Sequence, residues 1–194
     1  MYSPHTAVDA VLGGVNDWLA SILNKLPGIP SHIKHPLPVV QPVKGPVPAG
    51  FEGAGYGRRV ELYYERDLAS IVRLYGAELG LKHVMVARPK TVGADVMIRT
   101  VAVCAGSGYG VLKDTDADLI VTGEMSHHDA LRLTMLGKCV LTVFHSNSER
   151  GFLKAVLRPQ LEEVLGREEG GAEVLVSEED ADPFEIWEAE AGGA

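Results

Sequence analysis

Cysteine is scarce in this chain. Two occur in 194 residues, Cys104 and Cys139, each at the end or start of an apolar run and without CxxC spacing, which excludes a cysteine zinc cluster or a redox pair. They read as buried thiols in a reducing compartment. Long apolar runs are missing as well: nothing approaches the roughly 18 unbroken residues of a membrane span, and the opening MYSPHTAVDAV lacks the basic region and apolar core of a signal peptide. No membrane association is expected and a cytoplasmic protein is, with mitochondrial or nuclear presence left open. One end lacks basic residues, since from Glu168 onward there are ten Asp or Glu and no Lys or Arg. Taking that stretch out of the formal charge of -8 leaves 18 minus 16, or +2, for residues 1–167. A nearly neutral body offers no basic stripe, so no direct nucleic-acid binding is expected, and the acidic end reads as a solvated terminus.

What is present is apolar and periodic. The apolar share of 46% suffices for one good-sized core or two small ones. In NDWLASILNKL, Trp18, Leu19, Ile22, Leu23 and Leu26 recur at helical spacing after a turn whose Asn16 can cap. Seven of the eleven prolines then fall between Pro27 and Gly57, so that stretch is expected to hold no regular element and to act as a linker between two lobes. ERDLASIVRLYGAELGL predicts a second amphipathic helix stopped by Gly80, and HVMVA and DVMIRTVAVCA predict strands. ADLIVTG, HHDALRLTMLG and CVLTVF spell strand, helix and strand, a parallel βαβ unit. A last helix is expected over Glu149–Leu165, kinked at Pro159, and AEVLVS can close as a strand.

The chemistry gathers where apolar strands end. VLTVF stops at His145, with Glu149 four residues later, and in an open α/β sheet the crevice lies outside the carboxyl ends of the parallel strands. Imidazole plus carboxylate suits zinc, manganese, iron, cobalt or nickel. SNSE, Ser146 to Glu149, is equally the spelling of a helix capping box, in which the glutamate only satisfies an orphan amide. The same His-xxx-acid spacing recurs at His5 and Asp9. GEMSHHD places Glu124, His127, His128 and Asp129 at the end of the preceding strand, where His128 is the candidate general acid or base. CAGSGYG can present backbone amides to a phosphate, but it lacks the lysine of a P-loop and reads better as a tight turn.

Together ADLIVTGEMSHHDAL, FHSNSERGFL, CAGSG and SPHTAVDAVLGGVNDWLA resemble the Nif-three-like family (NGG-one-interacting factor three, also described as GTP cyclohydrolase I type II homologues), in particular its eukaryotic branch. The resemblance implies an α/β fold of mixed sheets flanked by helices, in two lobes, commonly assembled into a hexameric homo-oligomer with a two-metal site in the cleft. It places Asp9, His145 and Glu149 on metal-ligand positions, with His5 beside them; Glu124 and His127 are expected nearby, and His128 stays the catalytic candidate from its place after the strand. The family's further ligands, a histidine pair in an HHP-type motif, have no counterpart before Ser3. The first lobe is therefore expected to be truncated: 1–26 its remnant, 27–57 the linker, 58–187 the C-terminal lobe and 188–194 a disordered tail. The implied function is metal-dependent hydrolase or cyclohydrolase chemistry on a small, nucleotide-like substrate. The alternative is a non-catalytic oligomeric or regulatory protein with a protein partner.

Overall fold

The computed structural model describes residues 3–28, 37–167, 172–179 and 182–187. Its centre is set by three runs buried at every position: Leu119–Thr122, Cys139–Thr142, and the second half of Met97–Cys104. A strand with no solvent-facing side needs cover on both faces. The strands are β1 (Val39–Pro42), β2 (Gly55–Asp67), β3 (Met85–Ala87), β4 (Met97–Cys104), β5 (Leu119–Thr122) and β6 (Cys139–Thr142), in one mixed sheet ordered β1-β2-β4-β5-β6-β3. β4, β5 and β6 run parallel, with Cys104, Thr122 and Thr142 level at their carboxyl ends. β1 and β2 extend the sheet antiparallel on one side and β3 on the other.

Because side chains alternate across a strand, each parallel strand feeds two cores. Val101, Val103, Leu119, Val121, Leu141 and Val143 point to one face and meet Leu19 of α2 (Val15–Ser21), Leu23 of the 3-10 turn Ile22–Lys25, Ile71 and Tyr75 of α3 (Leu68–Glu78) and Phe152 of α6 (Arg150–Phe152). Ala102, Cys104, Ile120 and Val140 point to the other and meet Leu112 of α4 (Tyr109–Leu112) and Leu133 of α5 (His127–Met135). The result is a three-layer α/β/α arrangement, and the parallel βαβ unit expected from the sequence is β5-α5-β6.

A buried ion pair ties the first helices to the sheet. Arg58 of β2 is fully buried and donates through Nε (3.0 Å) and Nη2 (2.9 Å) to the two carboxylate oxygens of Asp17 in α2. Its remaining donors reach the carbonyls of Gly55 at 2.6 Å, Gly57 at 3.0 Å and Val11 at 2.9 Å. Asp17 Oδ2 also accepts from the Gly13 amide at 2.9 Å. A bidentate pair with its leftover valences filled is the form in which burial of two charges is tolerated.

Several expectations are corrected. Residues 27–57 are not featureless: Val39–Pro42 forms β1, and β2 begins at Gly55. Proline is tolerated there because β1 is an edge strand with one free side. Nor does that stretch separate two cores, since Val15, Leu19 and Leu23 pack in the same cluster as Val121 and Leu141. Asn16 does not cap α2; Gly14 holds that position and Asn16 lies inside the helix. Pro159 sits in the first turn of α7 (Arg158–Leu165), directly after a widened π turn, Leu153–Leu157, where the bond its nitrogen cannot donate would fall. Residues 172–177 form no strand. The expected tail, 188–194, lies outside the described residues.

Candidate metal site at the carboxyl edge of the sheet

With Cys104, Thr122 and Thr142 in register, the segments that follow β4, β5 and β6 emerge on one edge. The segment after β5 carries Glu124 and the segment after β6 carries His145 and Glu149. Their geometry is specific. His145 Nδ1 lies 3.0 Å from Glu124 Oε1, and since a carboxylate only accepts, Nδ1 carries the proton and the Nε2 lone pair is turned away from Glu124. Nε2 lies 3.6 Å from Glu149 Oε1, too long for a hydrogen bond. Two donors bound at about 2.1 Å to one tetrahedral ion stand about 3.4 Å apart. The pair therefore fits a cation between them, and the Glu124–His145 hydrogen bond is the orienting contact that metal-ligating histidines usually have.

Two glycines make room for this pair. Gly106 has φ +64, and a Cβ on it would stand 2.8 Å from Glu149 Oε1 and 3.2 Å from His145 Nε2. At Gly123 a Cβ would stand 2.9 Å from the His145 Cα. Phe144, just before His145, is the one described non-glycine residue with positive φ, at 68, a strained conformation of the kind that gathers at functional sites.

Charge at this edge is unbalanced toward acid. Burial raises the Asp9 carboxyl above its ordinary range, against the pull of His5 and His145. Burial likewise raises Glu149, with Asp9 and Glu124 adding to it while His145 and His5 oppose. His145 is raised chiefly by its hydrogen bond to Glu124, and further by Glu149. Three carboxylates thus share the neighbourhood of one imidazole and the exposed His5, which is a field that favours a cation. Among the described residues, no three His, Cys, Asp or Glu side chains converge closely enough to hold an ion as they stand. His145 and Glu149 fit one, and Asp9 stands near enough to act on both of their charges.

The capping-box alternative for Glu149 does not hold. Ser146–Ser148 is a 3-10 turn with no side-chain cap, and the Glu149 carboxylate faces His145 instead. The real cap of this type is Ser126, whose Oγ accepts from the Asp129 amide at 3.2 Å and bonds Asp129 Oδ2 at 2.6 Å. His127 and His128 are exposed in the first turn of α5, edge to face at 5.4 Å. His127 lines a separate groove between α5 and β3, with Val86, Arg88, Lys90 and Leu131. The CAGSG loop does not form a phosphate cradle, because three of its amides are already donated inward, Ala105 to Asn16 Oδ1 (2.8 Å), Gly106 to Ser148 Oγ (2.8 Å) and Gly108 to Thr122 Oγ1 (3.0 Å). Asn16 and Ser148 are the site-related residues that the sequence did not expose: Asn16 read as a cap, and Ser148 stood inside the SNSE stretch between the two residues of the supposed capping box.

The architecture defines a class: a three-layer α/β protein with an acid-rich, histidine-centred cluster at the carboxyl edge of its parallel strands. The family described as Duf34/NIF3 (NGG1p interacting factor 3) matches residues 1–183, and the chain belongs to it. It is 44% identical over 184 residues to "Protein NIF3 homolog" of Schizosaccharomyces pombe, covering 95% of this chain and 63% of that one. It is 40% identical over 190 residues to "NGG1-interacting factor 3" of Saccharomyces cerevisiae, covering 96% and 61%. Among solved structures, the Staphylococcus aureus hypothetical protein SA1388 matches with TM-score 0.69 at 20% identity, over 94% of this chain and 67% of that one, a likeness of fold. The chain thus spans less than two thirds of the length of these two yeast relatives. Among the described residues no helix is long and apolar enough to cross a membrane.

Proposed function

We propose that this chain is a metal-binding NIF3-type protein whose Asp9, His145 and Glu149 hold a divalent ion of the zinc, manganese, iron, cobalt or nickel type, in support of hydrolase-like chemistry on a small, phosphorylated or nucleotide substrate. One observation carries it: Nε2 of an imidazole oriented by Glu124 faces Glu149 Oε1 across 3.6 Å, at an edge with an excess of carboxylates. The chemistry such an ion supplies is Lewis-acid activation of water. The chain's own groups do the rest. Glu124 fixes the His145 tautomer, Glu149 and Asp9 supply negative charge, and the half-exposed faces of His145 and Glu149 leave substrate access. His128, on the same edge, is the candidate for proton transfer to or from the substrate. Assembly into a homo-oligomer belongs to the same proposal.

The direct test is metal content by elemental analysis, with Zn(II) titration of the purified chain. Binding is expected, and His145→Ala and Glu149→Gln should each weaken it at least tenfold in folded protein. Well-folded wild-type protein that takes up no metal would overturn the proposal. That result would favour the second reading, a non-catalytic binding protein, to which the name of the Saccharomyces cerevisiae relative, "NGG1-interacting factor 3", points.

A further inference from the structure

The residues proposed to hold the ion, and Glu124 that orients one of them, come from three separate segments, and hydrogen bonds link one short loop to all three. Asp9 lies in α1 (Thr6–Ala10), Glu124 after β5, and His145 with Glu149 after β6. The loop is Ala105–Gly108. Its Ala105 amide donates to Asn16 Oδ1 at 2.8 Å, while Asn16 Nδ2 donates to the Asp9 carbonyl at 2.9 Å. Its Gly106 carbonyl accepts from the Glu124 amide at 3.0 Å and from Thr122 Oγ1 at 3.0 Å. Its Gly106 amide donates to Ser148 Oγ at 2.8 Å, and Ser148 Oγ donates to the His145 carbonyl at 2.6 Å. Asn16, Thr122 and Ser148 are all fully buried.

We infer that Asn16 is a positioning residue of the candidate site, setting where Asp9 stands relative to His145 and Glu149 through a single carboxamide. The inference rests on the metal-binding reading above. Holding α2 against the sheet is not what Asn16 is needed for: the neighbouring Asp17 does that through Arg58, with two hydrogen bonds of its own. The two bonds of Asn16 go elsewhere, one to the backbone of the residue that bears the Asp9 carboxylate and one to the residue before Gly106, over which Glu149 and His145 close. A carboxamide spans these groups with a donor and an acceptor on separate atoms at fixed separation, whereas a hydroxyl carries both on one oxygen and a carboxylate has no donor. With both ends bonded, the side chain is fixed and ties the backbone of Asp9 to the Ala105 amide. Ser148 serves the other side of the site in the same way, by a hydroxyl that accepts from Gly106 and donates to His145.

The experiment is Zn(II) titration of the full chain by calorimetry, together with the visible spectrum of the Co(II)-loaded protein, for wild type, Asn16→Ala and Ile71→Ala. Ile71, fully buried in α3, a helix that carries none of the site residues, controls for loss of stability. Asn16→Ala is expected to weaken Zn(II) binding about tenfold to hundredfold and to alter the Co(II) spectrum. Ile71→Ala should lower the melting temperature at least as much and leave affinity and spectrum unchanged. Wild-type affinity and an unaltered spectrum in Asn16→Ala would overturn the inference alone, reducing Asn16 to a structural residue. Failure of the wild type itself to bind Zn(II) or Co(II) would overturn the metal reading and this inference with it. If Asn16→Ala does not fold, Asn16→Leu carries the test, because it keeps the branched shape of the side chain, adds no charge and removes both hydrogen bonds; wild-type affinity and spectrum in it overturn the inference in the same way.

Discussion

At the scale of single residues, the candidate site is a matter of what has no side chain as much as of what has one. Gly106 must be glycine twice over. Its φ of +64 costs an L-residue about 1 to 2 kcal/mol, and the methyl group would stand 2.8 Å from Glu149 Oε1. Gly106→Ala is accordingly expected to lower the melting temperature by a few degrees, about 2 to 4 °C for each kcal/mol lost in a chain of this size, and to weaken Zn(II) binding by pushing the Glu149 carboxylate away from His145. Calorimetric titration beside thermal melts separates the two effects, and unchanged affinity would show that Glu149 is free to swing aside. Phe144 adds the complementary case. Strain at φ 68 immediately before His145 persists because the residues around it leave the chain no other path.

At the scale of elements, α3 shows how local chemistry sets a boundary that periodicity cannot. The stretch that reads as helical, ERDLASIVRLYGAELGL, opens on three charged residues, and the helix, Leu68–Glu78, starts after the third of them because Asp67 accepts from the Ser70 amide at 2.8 Å and from its hydroxyl at 2.6 Å. Those hydrogen bonds hold the Asp67 carboxyl below its ordinary range, the Ser70 hydroxyl contributing most. A carboxyl depressed in the folded state contributes stability above its unfolded pKa of about 3.9 and loses it as pH falls through the lower folded value. Asp67→Ala should therefore cost about 1 kcal/mol at pH 7, and the gap from wild type should close in acid. Urea unfolding at pH 7 and near pH 3 checks both the size and the sign. The same contrast explains what was legible. β5 and β6 were plain in the sequence because every residue is buried, as were α5 and the His145–Glu149 pair at the end of β6. β2 was not, because GYGRRVELYYERD is exposed and charged through its second half and shifts register between Glu61 and Arg66, so neither an apolar run nor clean alternation marks it. β1 was hidden by its prolines. Asn16 and Ser148 were hidden for a different reason: their importance lies in partners 89 and 42 residues away, which no local pattern encodes.

At the scale of the molecule, the question is what keeps the first helices, and with them Asp9, on the sheet. Apolar contact through Val15, Leu19 and Leu23 supplies most of the attraction, each fully buried side chain contributing about 1.5 to 3 kcal/mol. The Arg58–Asp17 pair supplies direction, since a bidentate contact with five further hydrogen-bond partners or carbonyls around it admits one placement of α2 and not a sliding series. Removing one partner leaves the other charged and buried. Asp17→Ala is expected to destabilise the chain by about 3 to 5 kcal/mol, the largest loss among the substitutions considered, and to release α1 and α2 from the sheet before the parallel strands open. Hydrogen exchange checks the order: amides of α2 should lose protection while those of β5 and β6 keep theirs. Replacing both partners by apolar residues of similar size, Asp17→Leu with Arg58→Met, should restore most of the stability, because no charge is then stranded. It should not restore metal affinity to the same degree. An apolar contact holds α2 down without fixing its register, and Asp9 then meets His145 and Glu149 only part of the time. Equal recovery of stability and Zn(II) affinity in the double variant would show that packing alone suffices to place Asp9.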